Sequence, residues 1–248
     1  MNEIPTIITE RVDDIPLLLE QMQRMGLPAL LDDHFPTHGN WQGLSLGWVS
    51  TIWLSAILSR GDHRLVHVEP WVANRLWTLR ATTGQAVERL DFTDDRLEIV
   101  LRCLQDDARW AAFASALHQH TVRVYELPTA RVHVDSTSAS AYPTVSEHGL
   151  FPCGHSKDYR PDLPQVKGMQ AVLDPLGMPL ATDVVSGERA DDPLYVPCMR
   201  RVQESLGQHG LLYVGDCKMA SRETRAFVAA QGDFYLCPLP AVQLAEDE

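Results

Sequence analysis

The sequence predicts a mixed α/β protein, in which an N-terminal all-helical domain precedes a mixed β-sheet with flanking helices. Two observations predict this order. Apolar residues recur at helical spacing up to about residue 125, and short β-branched runs then alternate with helical stretches. A hydrophobic content of 45% and a charged content of 22% are ordinary for a globular protein. We therefore place the two domains at residues 1–125 and 126–248.

The N-terminal half contains five stretches with helical periodicity. The first begins at Asp14-Ile15-Pro16 and ends at Gly26, since proline favours the first turn and glycine the C-terminus of a helix. Either Thr93 or Asp94 is a suitable N-cap for another. The remaining three predicted helices cover residues 46–58, 69–79 and 108–120.

The C-terminal half shows strand patterns with two helices among them. Asp174-Pro175-Leu176-Gly177 is typical of a turn between the two arms of a hairpin. A helix is predicted from Asp191-Asp192-Pro193 to Gly207, and a second over residues 221–231. The predicted strands cover residues 121–125, 131–135, 167–173, 178–185 and 211–215, and a further one begins at residue 234.

Bulk properties exclude several classes of protein. The formal net charge of −12 lowers the expectation of tight, autonomous DNA binding, because phosphate contacts favour a basic surface. The five cysteines are scattered and none forms a C-x-x-C pair, so neither a disulfide framework nor a structural zinc site is indicated. No signal peptide is evident, and the most apolar run, residues 44–58, is shorter than the ~20 residues that span a bilayer. We expect a cytoplasmic protein.

Two aspartates stand at the ends of predicted strands. Asp135 ends the strand that contains Val132-His133-Val134, and Asp216 ends an apolar run that includes Val214-Gly215. Side chains at strand ends in a mixed sheet converge into sites, and carboxylate oxygens are the ligands that Mg²⁺ prefers. Either aspartate alone is more often a helix cap or a turn former. Together they form a candidate metal site.

The surrounding motifs resemble those of insertion-sequence DDE transposases, whose catalytic core is ribonuclease-H-like. The resemblance is carried by Asp135-Ser136-Thr137 and by the sequence GHSKDYRPDLPQ at residues 154–165, and it covers nearly the whole chain. Further matches are Asp174-Pro-Leu-Gly-Met-Pro179, Gly187-Glu-Arg-Ala-Asp191 and Val214-Gly215-Asp216. The twelve-residue segment is the most specific of these.

The resemblance implies metal-dependent cleavage and transfer of DNA strands. Asp135 and Asp216 would be catalytic ligands of Mg²⁺ (or Mn²⁺), and the partner would be double-stranded DNA, both the transposon terminal inverted repeats and the target. The full-length protein would form a homo-oligomer. The DNA-contacting residues implied are His155, Lys157, Arg160 and Lys167. A solvated connection with no role is the alternative for the loop at residues 154–165.

The sequence departs from the family pattern at the third catalytic acid. The family has a glutamate on a late helix, near a tyrosine–arginine–glutamate–lysine pattern, and Glu188, Asp192 and Glu223 do not match it. We therefore expect the ribonuclease-H-like sheet to be incomplete and this chain to lack the third acid of the catalytic triad. The alternative function is a catalytically inactive remnant that acts only as a DNA-end-binding or transposase-binding module. A nuclease with a substitute third acid is the weakest possibility.

Overall fold

The structure, a computed structural model, describes residues 7, 9–140, 149–153, 160 and 162–240. The chain divides into two compact units, Met1–His120 and Thr121–Glu248. The resemblance implies DNA-end binding or assembly for residues 1–125 and a partial catalytic domain for residues 126–248, and these domain bounds and roles stay a prediction. The predicted fold class is confirmed as mixed α/β: a helical part precedes a five-stranded mixed sheet with flanking helices. No helix within the described ranges is long and apolar enough to cross a bilayer.

The N-terminal part is built from helices that bury one apolar cluster. Ile15, Leu19, Val49, Ile52 and Leu97 are all fully buried in it, and burial of such side chains is the main stabilising contribution. The helices are α1 (Ile15–Arg24), α2 (Leu27–His34), α3 (Leu46–Arg60), α4 (Val68–Ala73), α5 (Leu76–Thr83), α6 (Asp94–Leu104) and α7 (Asp107–Val124).

Local signals set the ends of these helices, with one exception. Ser45 caps α3, and Thr93 caps α6 by accepting a hydrogen bond from the Arg96 backbone N–H. Gly61 closes α3 with a left-handed φ of 64°. The single helix predicted over residues 69–79 is wrong, because the chain leaves helical geometry at Asn74 and Arg75, between α4 and α5.

The C-terminal unit contains a five-stranded sheet in the order β3-β2-β1-β4-β5. Strands β1, β2 and β3 form an antiparallel meander, whereas β4 runs parallel to β1 and β5 parallel to β4. Helices α8 (Tyr195–Leu206) and α9 (Arg222–Ala230) accompany the sheet. The strands are β1 (Arg131–Ser140), β2 (Gln165–Leu173), β3 (Met178–Ser186), β4 (Leu212–Gly215) and β5 (Phe234–Leu236).

Two strand predictions need correction. The strand predicted at residues 121–125 is wrong, because α7 continues to Val124 and the Tyr125 backbone N–H donates to the Thr121 carbonyl. Two β-branched residues in a row do not break a helix that neighbouring turns already support. Asp135 does not end its strand either: β1 continues to Ser140 along an antiparallel partner.

One face of the sheet forms the core of this unit. Val132 and Val134 of β1 are buried, with Tyr213 of β4 and with Tyr195 and Met199 of α8. Residues alternate along β1, so that Asp135 is exposed on the opposite face from Val134. The aromatic residues are also divided: all six tryptophans lie before residue 121 and all six tyrosines after it.

Candidate metal-binding site

The parallel pairing of β1 and β4 places the two predicted aspartates side by side. Val134 pairs with Gly215, the last residue of β4, so Asp135 on β1 and Asp216 directly after β4 are the next residues beyond this pair. Neighbouring strands lie about 4.8 Å apart, which brings two carboxylates within reach of one cation. Both residues are exposed, so they are accessible to a cation from solvent.

Gly215 allows this close approach. A Cβ atom at Gly215 would lie 2.8 Å from the Met219 sulfur and 3.0 Å from the Val134 carbonyl oxygen. Both distances are at or below the closest that real side chains reach, so any other residue would push β4 away from β1 or displace Met219. The glycine before Asp216 therefore helps to fix where that carboxylate stands.

Three donors order the two carboxylates. The Tyr195 hydroxyl donates to Asp216 Oδ1 at 2.7 Å, and the Lys218 backbone N–H donates to the same oxygen at 2.9 Å. The Ser136 N–H donates to Asp135 Oδ1 at 2.7 Å. The backbone contact at Lys218 also makes Asp216 the N-cap of the short 3₁₀ helix Cys217–Ala220. Asp216 is therefore held from two directions.

Tyr195 is the site residue that the sequence did not reveal. Burial raises its pKa well above the ordinary value, and the hydrogen bond to Asp216 and the charges of Asp216, Asp135 and Asp191 raise it further. The phenol therefore stays protonated and remains a donor. In the sequence, Tyr195 shares an apolar helix face with Met199 and Val202, a pattern typical of a core residue, and its hydroxyl partner depends on tertiary structure.

A buried ion pair lies in the same unit. Lys167, 4% exposed, contacts Asp191 Oδ1 at 2.7 Å and donates to the Arg189 carbonyl oxygen at 2.5 Å. Gly187 makes the turn before these residues possible, because a Cβ there would lie 2.3 Å from the Gln165 carbonyl oxygen. The Gly187–Asp191 motif therefore has a structural explanation: it positions Asp191 to form an ion pair with Lys167.

Of the four residues predicted to contact DNA, the structure describes Arg160 and Lys167. Arg160 is exposed and forms a two-pronged ion pair with Asp162, at 2.9 and 2.8 Å, which lowers the pKa of that carboxyl. Lys167 is buried and its ammonium group already contacts Asp191 and the Arg189 carbonyl, which favours a structural role. His155 and Lys157 lie outside the described residues. A DNA-contacting role for these four residues stays a prediction.

Within the described ranges, no group of three or more histidine, cysteine, aspartate or glutamate side chains is arranged to hold a metal ion. The site there thus consists of the Asp135–Asp216 pair. A pair suits Mg²⁺, which commonly binds one or two carboxylates and completes its shell with water and substrate phosphate.

No protein family model and no curated protein sequence matches this chain. Two of the solved structures similar to it are transposases. The Mos1 transposase paired-end complex with left transposon end aligns with a TM-score of 0.32 at 9% identity, over 95% of this chain and 80% of that one. The piggyBac transposase synaptic complex with hairpin DNA aligns with a TM-score of 0.40 at 9% identity, over 94% of this chain and 52% of that one. Because both TM-scores are low, the assignment of site residues rests on strand register and contacts alone.

Proposed function

We propose that this chain carries the metal-binding carboxylate pair of a DNA strand-transfer centre, as in insertion-sequence DDE transposases. The observation that carries the proposal is the register of β1 and β4, because Asp135 and Asp216 each directly follow its last pair, Val134 and Gly215. Convergence of two exposed carboxylates, one of them held by a buried tyrosine, supports a binding site better than it supports two independent helix caps.

The donor set fits Mg²⁺ or Mn²⁺, both of which favour oxygen ligands. When bound, such ions supply activation of an attacking oxygen and stabilisation of the leaving oxygen in phosphodiester transfer. The chain's own residues would bind and orient: Asp135 and Asp216 as ligands, and Tyr195 as the donor that fixes Asp216. The two carboxylates would repel the phosphates of a DNA backbone. A cation is therefore needed between the backbone and this surface.

The substrate class that follows is double-stranded DNA, with transposon ends and target DNA as its two forms. Arg160, with His155 and Lys157 from the same motif, would contact backbone phosphates, which position DNA without reading its sequence. Assembly into a homo-oligomer belongs to the same proposal, because joining two transposon ends to one target calls for more than one copy of a site.

Metal binding can be tested without catalysis. We expect Mn²⁺ titrated into the full chain to lose free-ion electron paramagnetic resonance signal, and Asp135→Asn or Asp216→Asn to weaken this binding about tenfold or more. Glu223→Gln is the matched control, since it removes one exposed carboxylate from α9 of the same unit. Equal Mn²⁺ affinity in the wild type, both aspartate variants and the control, with folding confirmed by circular dichroism, would contradict the metal site.

Cleavage is the second measurement. We expect Mg²⁺- or Mn²⁺-dependent nicking of a labelled duplex to be lost in Asp135→Asn if a further ligand is available to this chain. Metal binding without nicking would support Asp135 and Asp216 as metal ligands. It would also indicate that this chain binds DNA or another transposase copy and does not cleave DNA.

A further inference from the structure

A second candidate site lies in the helical unit, away from any carboxylate pair. It is a cavity of about 270 Å³, several times the ~30 Å³ that one water occupies in the liquid. The end of α3 and the segment from the 3₁₀ helix Leu65–His67 to Arg75 form its wall. The lining residues, none of them acidic, are Arg60, His67, Pro70, Trp71, Asn74 and Arg75.

Two of these residues carry buried donors without acceptors. Trp71 is 3% exposed and Arg75 is 9% exposed. Within the described residues, Trp71 Nε1 and Arg75 Nε have no hydrogen-bond partner. The remaining Arg75 donors make long contacts, Nη1 with the Trp71 carbonyl at 3.3 Å and Nη2 with Asp13 Oδ2 at 3.2 Å. Buried donors in this state are rare in folded proteins and call for an acceptor.

The two carboxylates that contact His67 and Arg75 are each shared with a second cationic side chain. Asp62 accepts from Arg64 at 2.9 Å and contacts His67 Nδ1 at 2.7 Å. This sharing lowers the pKa of Asp62, first through Arg64 and then through His67. Asp13 similarly pairs with Arg11 at 2.9 Å and with Arg75.

A neighbouring depression differs in charge. Its lining contains two aspartates besides three arginines, so an anion bound there would meet like charges at close range. The lining residues are Arg11, Asp13, Asp14, Ser59, Arg60 and Arg75. Arg60 and Arg75 therefore line both this depression and a cavity whose lining contains no acid. The cavity is the more favourable of the two for an anionic ligand.

We propose that this cavity binds a phosphate group through Arg60, Arg75 and His67. Guanidinium groups match the oxygen geometry of phosphate in a two-pronged contact, and the lining contains no acid that would repel it. A phosphodiester of a nucleic-acid backbone and a free phosphate compound present the same chemistry. The site goes beyond the strand-transfer centre, because it requires neither a metal ion nor Asp135 and Asp216.

The test uses the full chain in excess EDTA, so that it is independent of the metal site. Binding of a labelled DNA duplex is followed by fluorescence anisotropy at several salt concentrations, and binding of pyrophosphate by calorimetry. The test variant is Arg60→Gln. Arg24→Gln is the matched control, because both arginines are exposed in the last turn of a helix in the same unit.

For a nucleic-acid backbone we expect Arg60→Gln to weaken duplex binding about threefold or more and to reduce the salt slope by about 0.9, the value for one lost phosphate contact. Arg24→Gln should change neither. For a free phosphate compound, pyrophosphate binding is lost in Arg60→Gln while duplex binding is unchanged. Arg60→Lys should restore part of either effect, since it keeps the charge but not the planar fork.

The proposal is overturned if the wild-type chain binds neither probe. It is equally overturned if Arg60→Gln binds both probes as the wild type does, or if Arg24→Gln weakens binding as much as Arg60→Gln. Circular dichroism of each variant shows that the helical unit has folded, so a loss of binding cannot be a loss of structure.

Discussion

The sheet unit and the helical unit place their charged side chains by different means. In the sheet unit, Asp135 and Asp216 meet because two parallel strands are in register. In the helical unit, Arg60 and Arg75 meet because one helix ends near the break between two others. Strand register is fixed by regularly spaced backbone hydrogen bonds, whereas a helix junction is fixed by side-chain packing. The strand patterns beside Asp135 and Asp216 can be recognised in the sequence, whereas nothing in the sequence singles out Arg60 and Arg75.

A substitution at Gly187 tests how strongly close backbone packing stabilises the sheet unit, and it should change stability more than any other variant proposed. Gly187→Ala would place a Cβ 2.3 Å from the Gln165 carbonyl oxygen, a backbone atom that cannot rotate away. We expect a loss of roughly 3 kcal/mol in the free energy of unfolding, measured by urea denaturation. Gly39→Ala is the control, since nothing lies within 4 Å of a Cβ there. Equal stability of the two variants would show that the turn after β3 is not constrained as described.

Removing the Tyr195 hydroxyl tests whether this buried phenol positions Asp216, and the expected change is intermediate in size. Tyr195→Phe removes the hydroxyl that donates to Asp216 Oδ1 and leaves the ring. Because residues that orient a metal ligand typically contribute tenfold or more to affinity, we expect Mn²⁺ to bind about tenfold more weakly. Tyr213→Phe is the matched control, also fully buried, with a hydroxyl that reaches only the Met199 carbonyl at 3.5 Å. The same Mn²⁺ affinity in both variants would leave Tyr195 with a packing role alone.

Removing one helix N-cap in each unit compares the two units directly, and this change should have the smallest effect on stability. Thr93→Ala removes the cap of α6 in the helical unit, and Ser221→Ala removes the cap of α9 in the sheet unit. Each change should cost about 1 kcal/mol, because one backbone N–H at a helix start loses its acceptor. Hydrogen exchange by mass spectrometry should show faster exchange in the unit that carries the change. Faster exchange in both units for either variant would mean that the two unfold as one.

The sequence predicted most elements of the fold and two of the three residues of the candidate site. Apolar alternation and turn residues identified β1 to β5 and α8, since each signal is local. Asp135 and Asp216 stand out in the sequence because each directly follows a short run of β-type apolar residues. That they stand side by side depends on a parallel pairing between residues some eighty positions apart, which no local pattern specifies.

The errors have the same origin. Thr121 to Tyr125 has the composition of a strand but lies largely within α7, which extends to Val124, because tertiary context overrides propensity. Tyr195 is buried on the core face of α8, where its apolar neighbours give no sign that its hydroxyl reaches Asp216. Arg60 and Arg75 carry no motif, and their proximity appears only once α3 and α4 are packed.

The segregation of aromatic residues between the units has a spectroscopic consequence. Tryptophan emission, excited at the red edge of its absorption, reports only on the unit Met1–His120, and tyrosine emission originates only in Thr121–Glu248. Tyrosine is a natural donor of excitation energy to tryptophan. Transfer between the two is therefore a label-free ruler between the units, and its change on adding DNA or metal would report whether either ligand moves one unit relative to the other.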